Sequence, residues 1–231
     1  MSQLMLPGQV AAPEGPVDMQ TMYVMHHGFR RDLRRFAEAV RATPVGERAT
    51  WVLLLERWEL FAEVLHHHHS GEDAGIWPWL RERCDAEHLA MLDAMEEEHG
   101  EIDPLLQACS AGFRRLAEVA DEDARAALAV RVVAARDCLG RHLAHEETEA
   151  IALIQQLMTQ QEWVELDERH FKDEKLTLAK VARIVPWAAY DVPREARDRV
   201  LAEAGLAFRV VWLLTRRRFA RREARAFAHV L

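Results

Sequence analysis

Apolar positions recur at intervals of three and four residues along most of this chain, the mark of amphipathic helices rather than strands. Met22, His26, Phe29, Leu33 and Phe36 form one such stripe and predict a first helix from an N-cap at Asp18 to about Ala42. Thr43-Pro44-Val45-Gly46 breaks the pattern, and Trp51, Leu54, Leu55, Trp58, Phe61 and Leu65 carry a second helix from about Glu47 past His69. Ser70-Gly71 weakens that helix locally, and Pro78 bends or ends it. Leu92, Met95, His99, Ile102 and Leu106 predict a third helix over Asp85 to Gly112, interrupted and kinked at Pro104. Val132, Ala135, Cys138, Leu139, His142, Glu146 and Leu153 outline a fourth, from Asp121 to about Gln161.

Helices of this kind joined by short links bury their stripes against one another. The expected fold class is therefore all-α: an up-down-up-down four-helix bundle with a C-terminal helical extension. Residues 1–17, rich in Pro and Gly, read as a flexible lead, 18–161 as the bundle, and 162–231 as the extension. Within the extension, one short helix is expected over about 168–185 and a last helix from about Arg194 to the C-terminus. The last helix ends in Arg216-Arg217-Arg218, Arg221, Arg222 and Arg225, alternating with Phe208, Val211, Trp212, Leu214 and Phe219. A solvated face packed on the bundle is the first reading of this end, and weak membrane-surface contact by a basic amphipathic helix the second. Nucleic-acid binding comes third, because no reader motif accompanies the charge, so no specific nucleic acid is expected as a partner.

Composition narrows the picture further. A chain of 231 residues that is 50% apolar buries a full core without disulfide staples, and its wealth of Ala, Leu, Glu and Arg favours helices. The formal charge of −8 argues against a general affinity for nucleic acid. Cys84, Cys109 and Cys138 form no CxxC pair and leave an odd one, so neither a disulfide framework nor a thiolate zinc site is indicated. A reducing cytoplasm is the expected setting. The first residues lack the basic and apolar regions of a signal peptide, and no stretch approaches the roughly 20 apolar residues that span a bilayer.

The candidate chemistry lies in histidines. On a helix, His68 and Glu72 point the same way, as do His69 and Asp73. The first register continues the apolar stripe of Phe61, Val64, Leu65 and Ile76, which aims His68 and Glu72 into the core and leaves His66, His67 and His69 toward the edges or solvent. His27, one position round from His26, faces Arg31 and water. Each predicted bundle helix then carries an inward histidine: His26, His68, His99 and His142. Two of them have a carboxylate one turn later, Glu72 and Glu146. A single inward histidine is more often a hydrogen-bonded core residue than a ligand. The set is different, because burying all six without a cation would consume most of a domain's net stability, whereas bridging carboxylates and imidazoles complete a dinuclear centre. His88, His145, His170 and His229 read as surface residues or outer partners, His145 being best placed to contact the fourth-helix carboxylates. Asp73, Glu147 and Asp103 read as solvated charges or outer hydrogen-bond acceptors, and Cys138 as a small core residue.

The order of one histidine, HxxxE, one histidine, HxxxE is carried here by His26, by His68-His69-Ser70-Gly71-Glu72, by His99 and by His142-Leu143-Ala144-His145-Glu146. It resembles the hemerythrin-like, or HHE cation-binding, domain over about residues 18–160, as do the flanking stretches MHHGFRRDL, HHHHSGEDAGIWPWL and HLAHEE. The resemblance implies a non-haem centre of two iron ions, carboxylate- and oxo- or hydroxo-bridged, that binds or reduces dioxygen, hydrogen peroxide or nitric oxide. It implies Glu72 and Glu146 as bridges, with His26 and His68 on one metal and His99 and His142 on the other. A non-catalytic iron- or oxygen-sensing or regulatory module, or an iron store, is the alternative. The chain departs from oxygen-carrying hemerythrins at Met95, where they place a further third-helix histidine, and at Glu147, which occupies the position of their last carboxylate. The lost imidazole implies a more open metal, favouring turnover over reversible oxygen carriage.

Overall fold

The computed structural model describes residues 3–171 and 177–230, and no strand occurs among them. The protein is all-α. Its bundle is formed by α1 (Gln20–Ala42), α2 (Arg48–Gly71), α4 (Ala86–Glu118) and α5 (Glu122–His145). Helix α1 packs mainly on α5, α5 on α4 and α4 on α2. Two of these helices do not simply stop. Each passes through one π-helical turn, Glu72–Ile76 after α2 and Glu146–Ala150 after α5, and resumes as α3 (Trp77–Arg81) or α6 (Ile151–Leu157). A π turn accommodates one residue too many for the α ladder and is found mostly where function requires it. Here both turns begin on a glutamate of the HxxxE pairs.

Several boundaries differ from expectation, each for a local reason. Asp18 accepts from the Gln20 N–H at 3.0 Å, yet the residue that caps α1 is Met19. Pro78 lies in the first turn of α3, directly after the π turn, and does not end the helical run. Pro104 does not interrupt α4, which runs on from its Asp85 cap to Glu118. The carbonyl that Pro104 leaves without a donor belongs to Gly100, an exposed residue, so solvent replaces the bond. The fourth helical run ends at Leu157 rather than Gln161, because Thr159 and Glu162 form a capping box that starts α7 (Gln160–His170).

Residues 3–17 are irregular but do not hang free. Val17 and Leu6 are buried. Gln155 clasps Val17 on both sides, accepting from its N–H at 3.0 Å and donating to its carbonyl at 2.8 Å. The expected single helix over 168–185 is replaced by the end of α7 and by α8 (Leu178–Ala188), and its residues 172–176 lie outside the described residues. The expected last helix is two, α9 (Arg194–Glu203) and α10 (Leu206–Ala226), divided at Gly205, whose φ of +95° only glycine adopts at little cost.

The extension is bound to the bundle by a buried ionic network. Asp32 on α1 accepts from Arg31 Nη2 at 2.9 Å, Arg57 Nη2 at 2.6 Å and Trp187 Nε1 at 2.7 Å. Glu223 on α10 accepts from Arg57 Nε and Arg35 Nη1, both at 2.5 Å. Burial pushes the Asp32 carboxyl upward, but Arg31 and Arg57 outweigh it and hold its pKa below the ordinary value.

Two apolar clusters fill the bundle. One gathers Phe29, Phe36, Trp58, Phe61 and Phe113; the other gathers Tyr23, Ile76, Trp77, Met95 and Ile151. His26, His68, His99 and His142 fall where these clusters meet, which leaves a polar layer enclosed above and below by hydrocarbon.

Candidate metal centre

Neighbouring positions of α2 look in two directions. His68 faces α1 and His69 faces α4 and α5, because a helix enclosed in a bundle has two neighbours and its inward arc exceeds the 100° between consecutive residues. His69 is accordingly buried, not at the edge or in solvent as its register had suggested. His27, also expected to face water, is buried too. It lies 2.9 Å from the Asp191 carbonyl through Nε2 and 3.3 Å from the Pro7 carbonyl through Nδ1, under the chain's two terminal segments.

The polar layer resolves into two groups whose potential ligand atoms all lie within 4.8 Å of one another: His26, His68, Glu72 and Glu146, and His69, Glu72, His99 and His142. All six residues singled out in the sequence are thus brought together, and Glu72 belongs to both groups. Glu146 belongs to the first alone. His69 is the residue that sequence reasoning missed. Met95 is a buried core residue, and His69 brings a further imidazole to the group of His99 and His142. The available signal was the adjacency of two histidines at a helix end with neighbours on both sides.

Inside the first group His68 Nε2 is 2.9 Å from Glu72 Oε1 and His26 Nε2 is 3.2 Å from Glu146 Oε2. Inside the second, His99 Nε2 is 3.5 Å from Glu72 Oε2 and 3.2 Å from His142 Nε2. Two imidazoles bound at about 2.0–2.1 Å to one cation stand about this far apart.

Carboxylates behind the site select which ring nitrogen is free. Nδ1 of His26 donates to Glu147 at 2.9 Å, Nδ1 of His99 to Asp73 at 2.8 Å and Nδ1 of His142 to Glu98 at 2.8 Å. A donor proton on Nδ1 leaves the Nε2 lone pair directed inward. Glu147 is fully buried and doubly held by Arg30, and Glu98 is shared with His145 at 2.9 Å. Asp103 is exposed and takes no part, and Cys138 packs in the core.

The donor atoms fit cations and fit little else. His26 Nε2, His68 Nε2, His69 Nε2 and both oxygens of Glu72 and of Glu146 are buried with no hydrogen-bond partner. Orphans of that kind are rare because each carries its full desolvation penalty. Their ionisation reflects the crowding. Burial and the Glu146 carboxylate push Glu72 up to about 8. Burial lowers the His26 pKa, but Glu146 and Glu147 outweigh it and raise it to about 9. Burial, with His26 beside it, takes His68 down to about 3, and burial with His99 takes His69 well below its usual value. His68 and His69 are therefore neutral, as ligands must be, whereas His26 and Glu72 hold protons that a cation would displace.

A helical bundle whose core holds two adjoining His/carboxylate groups, one glutamate common to both, defines a class of cation-binding helical proteins. A sequence model of the hemerythrin HHE cation-binding domain matches residues 17–154, more than half of the chain, and the chain belongs to that family. No curated protein and no solved structure gives a significant match. Among the described residues no helix is long and apolar enough to cross a membrane.

Proposed function

We propose that this is a non-haem di-iron protein that binds or reduces a small ligand, with dioxygen, hydrogen peroxide and nitric oxide as the candidates. The observation that carries the reading is the pair of four-residue groups joined by Glu72, with seven buried donor atoms that make no hydrogen bond. His26, His68 and Glu146 would hold one ion, His69, His99 and His142 the other, and Glu72 both. Two ferrous ions bound there would supply two electrons, enough to take hydrogen peroxide and two protons to two waters. The chain's own contribution is to keep His68 and His69 neutral, to fix the other rings through Glu147, Asp73 and Glu98, and to exclude bulk water with the clusters around Phe29 and Trp77.

The test is metal content on tag-free protein followed by anaerobic mixing of the reduced form with hydrogen peroxide. About two irons per chain and stoichiometric oxidation lost in Glu72→Ala support the reading; zinc or manganese in place of iron, or no oxidation, sinks it. A sensing module is the second reading. It is favoured by the C-terminal segment seated on α1 next to the site, where His27 meets the Asp191 carbonyl and Arg31 donates to the Trp187 and Tyr190 carbonyls. Metal-dependent protection of that segment from protease, without turnover, would select it.

A further inference from the structure

Helix α10 presents an outer face that neither the cation site nor the core explains. Its inner side is well used: Glu223 joins the buried network and Ala226 is packed in the core. On the outer side Leu206 and Leu214 are each 77% exposed, Leu213 49% and Val210 43%. At 3.6 residues per turn, these four side chains and Arg217 and Arg221 fall within an arc of about 100°. The face is thus apolar over the first half of the helix and cationic over the second.

The charge is concentrated. Helix α10 carries seven arginines against one glutamate in a chain whose formal net charge is −8. Arg222 pairs with Glu56, while Arg217, Arg218, Arg221 and Arg225 have no ion-pair partner among the described residues. Those four and Arg222, with Leu214, line a shallow groove of about 610 Å³ against α2.

We infer that the outer face of α10 docks on an anionic lipid surface, with Leu206, Val210, Leu213 and Leu214 entering the headgroup boundary and the arginines meeting lipid phosphates. Both halves of the face are satisfied there, since an interfacial helix gains from buried apolar area and from anionic headgroups together. A nucleic acid would match the arginines and leave the leucines in water. Two copies of α10 face to face would set arginines against arginines in a parallel pairing and leucines against arginines in an antiparallel one. The net negative charge of the whole chain works against a random approach and orients this end toward the lipid.

The experiment is co-sedimentation of the full-length, metal-loaded protein with vesicles of phosphatidylcholine alone and of phosphatidylcholine with phosphatidylglycerol. Binding to the second and not the first is expected, falling about tenfold or more in Arg217→Glu/Arg221→Glu. A comparable fall is expected in Leu213→Ser/Leu214→Ser, a change that leaves the charge intact, with circular dichroism and metal content unchanged in both variants. Equal partition to the two vesicle types overturns the inference. So does binding that the leucine variant leaves untouched while duplex DNA competes for it, which marks a polyanion surface. A dimer that dissociates in the leucine variant, seen by light scattering, overturns it in favour of self-association.

Discussion

His69 lies flat against His99, ring centroids 3.9 Å apart and planes within 8° of parallel, although the two residues come from different helices. The stack holds the His69 ring beside the second group, where its Nε2 is buried without a partner. His69→Ala is expected to lower bound metal from about two ions per chain to about one, with the remaining ion on the His26 side. Elemental analysis checks this against His67→Ala, a neighbour whose Nε2 meets the Phe171 carbonyl at the surface and whose loss should leave the metal content unchanged.

Metal-free protein should lose stability as pH rises. Glu72, raised by burial and Glu146 from 4.5 to about 8, keeps a proton in the folded state that the unfolded chain has released. His26, raised overall from 6.5 to about 9, contributes stability that is complete below the lower value and gone above the higher. Both effects have one sign, and the opposite contribution of His68 and His69, lowered by burial, is complete once pH passes the ordinary histidine value, so the melting temperature in chelator should fall from about pH 7 to about pH 9. Cation binding near neutral pH should release roughly two protons, measurable by calorimetry in buffers of different ionisation enthalpy. A melting temperature that rises across this range would contradict the assignment.

Glu98 holds Nδ1 of both His142 and His145 and touches neither group of inward donor atoms. Glu98→Ala should weaken metal affinity by about 10- to 100-fold through loss of ring orientation. Competition with a chelator reads this directly, and Glu98→Gln, which still accepts a hydrogen bond, should recover part of it.

The ionic network that ties the extension to the bundle gives a stability prediction independent of metal. Asp32→Ala removes the carboxylate that pairs with Arg31 and leaves Arg57 with Glu223 alone, and should cost about 3–5 kcal/mol by denaturant unfolding. The exposed Arg222 to Glu56 pair should contribute no more than about 1 kcal/mol when removed by Arg222→Ala.

Local pattern determined the all-α class, the four long helices and the six residues His26, His68, Glu72, His99, His142 and Glu146, because helical periodicity is a property of neighbouring residues and states which side chains turn inward. Tertiary structure decided the rest. His69 lies 100° round the helix from His68, and only the presence of α4 and α5 on that flank makes its position interior. His27 is covered by Pro7 and Asp191, residues distant in the chain that no window of local sequence contains. The pairing of His26 with Glu147 likewise depends on which helix stands opposite. A sequence states the inward direction of each helix; the packing alone defines how wide that interior is.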